Sequence, residues 1–192
     1  MEKIAEADFP TKFGMFRIHA FKEEDKIHLA LVRLLSADPE KSIPVRIHSK
    51  CLTGDTFASL RCDCRAQLDK ALEFLGSQEN GVLLYLDQEG RGIGLADKIK
   101  AYSLQDSGMD TVEANLELGF AEDLRDYDAA AEILKAFGIK KIRLLTNNPI
   151  KLDDMKKHGI MVEERLSLFG DRNMHNEKYL LAKKEKLGHM LE

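Results

Sequence analysis

The chain has 192 residues, 44% of them apolar and 32% charged, with a formal net charge of −4. That length holds one full core or two small lobes, and the apolar share excludes a disordered chain. The acidic balance excludes a general nucleic-acid binder, while leaving room for a local basic pocket that takes phosphate.

In chain order, residues 15–21 and 27–32 alternate like half-buried strands, and residues 42–48 continue the pattern through Ile43, Val45 and Ile47. From residue 65 to 75 the period becomes helical, with Leu68, Ala71, Leu72 and Leu75 on one stripe. Residues 81–86 read as a buried strand, Gly90-Arg91-Gly92-Ile93-Gly94 as a loop, and residues 95–106 as a helix stopping near Gly108. A helix follows over 129–137, ended by Gly138, then a strand at 142–145, a helix opened by Pro149 and a last strand at 160–162. The Lys- and Glu-rich residues 176–187 predict a solvated helix. A β-rich first part followed by alternating strands and helices predicts a mixed α/β chain, one domain over residues 1–192.

No stretch approaches the 18 continuous apolar residues of a membrane span. The N-terminal residues lack the basic-then-apolar pattern of a secretory signal. The expected location is therefore the cytoplasm, where thiols stay reduced.

The three cysteines stand at 51, 62 and 64. Cys62 and Cys64, two apart, can face one ion from an extended or turn segment, and Cys51 can reach it from the preceding loop beside Gly54. Thiolate is the zinc-binding form, and zinc with three protein ligands keeps a position open for water. The competing reading is three buried small hydrophobes. His48 could complete the ligand set and make the metal structural, contact substrate, or serve only the fold. The glycines of the 90–94 loop let backbone amides approach phosphate, with Arg91 as a clamp; an ordinary strand-to-helix turn competes. Asp123 and Arg125, two apart, could join a proton shuttle to a phosphate clamp, within a run that also reads as a solvated charged face. Thr146 and Lys151 follow a buried strand, where α/β sheets bind ligands. Asn148 before Pro149 also fits a helix N-cap.

Taken together, these stretches resemble GTP cyclohydrolase II, which opens the guanine ring of GTP at the entry to riboflavin synthesis. The resemblance is carried by Arg46-Ile47-His48-Ser49, Cys51-Leu52-Thr53-Gly54-Asp55, Ser59-Leu60-Arg61-Cys62-Asp63-Cys64, residues 88–95 and 98–106, Asp110-Thr111-Val112-Glu113-Ala114-Asn115, Leu118-Gly119-Phe120 and residues 143–149. Asn176-Glu177-Lys178-Tyr179 and Leu187-Gly188-His189-Met190 extend it to the end of the chain.

The resemblance implies one zinc per subunit on Cys51, Cys62 and Cys64, with water in the fourth position. That water, as hydroxide, would attack C8 of guanine, and C8 would leave as formate. Cleavage between the α- and β-phosphates would release pyrophosphate with the help of magnesium. The implied product is 2,5-diamino-6-(5-phosphoribosylamino)pyrimidin-4(3H)-one, and the implied assembly a homodimer. Position by position, Asp123 matches the family's proton acceptor, Arg125 its proposed nucleophile and Tyr102 a tyrosine near the ring-opening step. A guanidinium stays protonated, so a clamp is the simpler role for Arg125. Substrate contacts carry over to Arg46, Ile47, His48, Ser49, Lys50, Gln67, Glu89, Gly90, Arg91, Thr111, Thr146 and Lys151.

Where the family usually has Glu, Arg and Gly, this chain has Lys50, Asp87 and Arg65. The first two exchange signs, predicting that a Glu–Arg contact has become Lys50–Asp87. These departures keep a second reading open: a divergent relative that takes another purine nucleotide or stops at a formylated intermediate. A third reading, a zinc-stabilised binding module without turnover, has no use for Asp123, Arg125 and Tyr102 together.

Overall fold

A computed structural model of the chain describes residues 1–35 and 41–191. The backbone divides into two units. The first comprises Met1–His48, Leu68–Asp87 and Asp126–Leu168; the second comprises Ser49–Gln67, Gln88–Arg125 and Phe169–Glu192.

The first unit is built on a seven-stranded mixed sheet. Its strands are β1 (Glu2–Thr11), β2 (Gly14–Glu23), β3 (Lys26–Leu34), β4 (Ile43–Ser49), β5 (Asn80–Leu86), β6 (Lys141–Leu145) and β7 (Met161–Leu166), in the order β1-β2-β3-β5-β4-β6-β7. β1, β2, β3 and β5 pair antiparallel in turn, whereas β4, β6 and β7 run parallel. The helices along the chain are α1 (Leu52–Asp55), α2 (Cys64–Ser77), α3 (Gly94–Asp106), α4 (Thr111–Glu117), α5 (Asp128–Ala136), α6 (Pro149–Lys157) and α7 (Glu177–Glu185). This is the expected mixed α/β class, β-rich first and alternating afterwards.

Period-two alternation sorts the core onto both faces of the sheet. Ala30, Val32, Val82, Leu84 and Leu86 share a cluster with Ala130, Ile133 and Leu134 of α5 and Met155 of α6. The intervening Leu31 and Leu83 pack instead with Ala71 and Leu75 of α2. A slip of one residue would send each set to the wrong layer, so the pattern also fixes the register. Asn148 caps α6 as expected, its Oδ1 accepting from the Ile150 amide at 2.9 Å, with Pro149 at the first turn.

Several elements depart from the sequence reading. β1 is exposed along nearly its whole length, so it has no buried face to print a pattern. β7 runs on to Leu166 through exposed charged residues, because its pairing with β6 holds backbone that the side chains do not advertise. α4 has no counterpart in the sequence reading and is held by a capping box between Asp110 and Glu113. α7 is not wholly solvated: Ala182 is buried, and the Lys183 side chain is only 11% exposed. Among the described residues no helix is long and apolar enough to cross a membrane.

Candidate active site

The cysteines belong to the second unit. Cys51 precedes α1, where the Asp55 carboxylate accepts from its amide at 3.0 Å. Glu89 Oε2 accepts from the next amide, that of Leu52, at 2.6 Å. Cys62 and Cys64 flank Asp63 at the start of α2. The three sulfurs lie within 4.8 Å of one another, with Cys51 and Cys62 at 3.8 Å. Two sulfurs each about 2.3 Å from a tetrahedral zinc stand roughly 3.8 Å apart, so this spacing fits the ion. Among the described residues this trio is the grouped set of metal donors, and His48 is no part of it. The His48 ring stacks on Tyr85 at 5.5 Å.

Gly54 makes the cluster fit. A Cβ on it would meet Cys62 Sγ at 2.8 Å, Cys64 Cβ at 3.0 Å and Cys51 Sγ at 3.1 Å. Gly54→Ala is expected to cost on the order of 1–3 kcal/mol through overpacking and to weaken zinc binding by about 10- to 100-fold. Thermal melting with zinc titration against a chelator checks both; unchanged affinity would mean that the sulfurs do not close on one ion.

Beside the trio lies a cation absent from the sequence reading. Lys98 Nζ is 3.1 Å from Cys51 Sγ and 2.7 Å from Glu89 Oε1. On α3 it shares one stripe with Ala101, Tyr102 and Gln105, all of which line the same cavity. A buried lysine on a helix whose Ile99 is 49% exposed is an inversion of the usual pattern. That inversion becomes visible only once the buried face is known. Hydrogen bonding from Cys62 and Cys64 holds the Cys51 thiol far below its ordinary range, against the opposing effect of burial and with help from Lys98. The Cys62 thiol is pushed up to about 11, chiefly by its bond to Cys51. Cys51, beside the ammonium, is the thiol of the trio that ionises most readily.

The cavity is lined by the three cysteines together with Ser49, Lys50, Glu89, Gly90, Arg91, Tyr102, Thr111 and Arg125, eleven of the sites expected from sequence. It also carries Arg61 and Lys98, so five basic side chains face one carboxylate, Glu89. An acidic chain thus holds a local basic pocket. Gly90 and Arg91 both take left-handed backbone, at φ 63° and 61°. For Arg91 that conformation is strained, and such strain gathers at ligand sites. Arg91 Nη1 reaches the Glu122 carbonyl at 3.4 Å, while its buried Nη2 has no hydrogen-bond partner among the described residues. Tyr102 OH lies 3.1 Å from Thr53 Oγ1, and the Arg61 guanidinium stands 4.9 Å from the Tyr102 ring centre. Burial raises the Tyr102 phenol above its ordinary pKa.

Asp123 and Arg125 form a two-pronged ion pair, Nε to Oδ1 at 2.8 Å and Nη2 to Oδ2 at 2.6 Å. Burial alone would raise the Asp123 carboxyl, but the Arg125 guanidinium holds it below the usual carboxylate range. Gln67 is not among the lining residues; its Nε2 donates to Asp63 Oδ2 at 2.5 Å.

The remaining expected contacts lie in the first unit, about the carboxyl ends of β4 and β6. Lys151 Nζ donates to the Ile47 carbonyl at 2.7 Å and stands 5.1 Å from the Tyr127 ring centre. Arg46 Nη1 donates to the Leu145 carbonyl at 3.0 Å. Thr146 Oγ1 accepts from the Asn148 amide at 3.0 Å. Arg46, Ile47, His48, Thr146 and Lys151 are all buried. Of the charge-exchanged residues, Lys50 lines the cavity of the second unit, and the Asp87 amide donates to His28 Nδ1 at 3.1 Å in the first.

Comparison with known proteins bears on these arrangements. A family model described as GTP cyclohydrolase II matches residues 2–167. A protein named GTP cyclohydrolase-2 from Pasteurella multocida is 51% identical over 193 residues, covering 100% of this chain and 88% of its own. One of the same name from Tolumonas auensis is 53% identical over 190 residues, covering 98% and 96%. The riboflavin biosynthesis protein RibBA of Thermotoga maritima is 53% identical over 194 residues, covering 100% of this chain and 49% of its own. With the family match spanning most of its length and relatives this similar along all of it, the chain belongs to the GTP cyclohydrolase II family of enzymes.

Proposed function

We propose that this enzyme hydrolyses GTP with zinc held by Cys51, Cys62 and Cys64, releasing formate and pyrophosphate as the first step of riboflavin biosynthesis. The product would be 2,5-diamino-6-(5-phosphoribosylamino)pyrimidin-4(3H)-one. The observation that carries the reading is three sulfurs within 4.8 Å of one another, two of them at 3.8 Å, in the wall of a cavity rich in basic side chains. When bound, zinc would supply Lewis acidity and lower the pKa of a coordinated water.

The residues of the chain supply the rest. Arg91, with a buried Nη2 to spare, and the left-handed Gly90 backbone suit a phosphate group. Asp123, ionised and oriented by Arg125, suits a proton acceptor, and Arg125 suits a phosphoryl clamp. Glu89 accepts from the Leu52 amide and from Lys98, which fixes its carboxylate at the cavity wall. Magnesium would arrive on the triphosphate as part of the substrate. The same reading includes a homodimer in the cytoplasm.

Incubation of the zinc-replete protein with GTP and magnesium should release formate and pyrophosphate in step, read by coupled assays of both. A ring-opened nucleotide without formate would favour the divergent enzyme that stops at a formylated intermediate. Tight GTP binding with no turnover would overturn the catalytic reading.

A further inference from the structure

The family match ends at residue 167, yet the chain continues into the second unit with α7. Asp63, between two of the cysteines in the bend that opens α2, sends its carboxylate into this segment. There Lys183 Nζ lies 2.9 Å from Asp63 Oδ1, and the two side chains are 11% and 2% exposed. Gln67 holds the other oxygen. Gly170 presses on the same residue: a Cβ there would meet Asp63 Cβ at 2.4 Å and its carbonyl oxygen at 2.9 Å. The turn leading into α7 is tied by Asn176, fully buried, whose side chain accepts from the Asn173 amide at 3.0 Å and donates to the Asp171 carbonyl at 2.8 Å.

We propose that the segment beyond the family match is a positioning element for the metal site, with Lys183 and Gly170 gripping Asp63 so that Cys62 and Cys64 face one ion. This rests on the cysteine trio binding zinc. Outer partners of metal ligands fix ligand orientation, and their loss typically weakens metal binding by about 10- to 100-fold. Lys183 is not in the cavity wall; its Nζ meets Asp63 and stands 4.4 Å from the ring centre of Tyr179, so it acts on the site through these neighbours.

The test compares the parent chain with Lys183→Met and Lys183→Arg by zinc competition against a chelator. It adds the absorption of the cobalt-loaded proteins, which reports thiolate ligation and tetrahedral geometry directly, and a thermal melt of each. The expected result is zinc affinity about 10- to 100-fold lower and altered cobalt bands in a folded Lys183→Met chain, with Lys183→Arg recovering most of both. Parent-like affinity and spectrum in folded Lys183→Met would overturn the proposal. Should Lys183→Met fail to fold, Gly170→Ala crowds Asp63 without baring a charge: a similar loss supports the grip, and unchanged affinity overturns it. A parent chain that takes up no zinc would sink the cysteine reading along with this one, whereas a zinc-binding parent with indifferent variants would sink this one alone.

Discussion

Cys62→Ser is expected to lower formate release from GTP by about a thousandfold or more, in a chain that still folds. Serine keeps the shape but replaces a soft thiolate with a hydroxyl that zinc binds poorly. Two sulfurs do not hold the ion in place of three, and the Lewis acidity that activates water goes with it. Such an ion lowers the barrier by several kcal/mol, and each 1.4 kcal/mol is about tenfold in rate. The sheet core of the first unit includes no residue of the trio, so the melting transition should survive. Zinc content per chain and formate production, measured on one preparation, check the expectation. A variant without zinc that still released formate at the parent rate would remove the ion from the chemistry.

Asp123→Asn is expected to reduce kcat by about 10²- to 10⁴-fold, the usual contribution of a positioned acid or base. The two bonds from Arg125 keep the carboxylate ionised and oriented. Asparagine can accept one of them and abstract no proton. The carboxyl titrates below the usual range, so activity that depends on its ionised form should hold through weakly acidic pH and fall only below that range. The acid limb of the parent pH profile should be missing from the residual activity of the variant. Arg125→Lys should raise KM more than it lowers kcat if Arg125 clamps phosphate. A large kcat loss with KM unmoved would point instead to a direct part in bond breaking.

The elements with a buried side were legible. β2 and β3 printed period-two patterns and β5 a continuous apolar run because the sheet buries one or both of their faces, and α2 printed its stripe for the same reason. β1 printed nothing, having almost no residue inside. α4 did leave a sign, Asp110 three residues before Glu113, which the density of charge around it hid. The metal trio was legible because cysteine is scarce and reactive. Lys98 was not: a lysine on a helix is ordinarily solvated, and only the fold turns this one toward Cys51. The tail misled in the same way, since lysine content predicts a wet helix and cannot tell that Lys183 has a buried carboxylate waiting.

The outermost strand of the sheet carries one more consequence. β1 lies at the end of the sheet, and a row of unspent amides and carbonyls there can recruit another chain and seed a fibril. Glu2, Lys3, Glu6, Asp8 and Pro10, with the kink in register between Lys3 and Ala5, spoil that template. The ribbon can therefore be long and wet without being sticky.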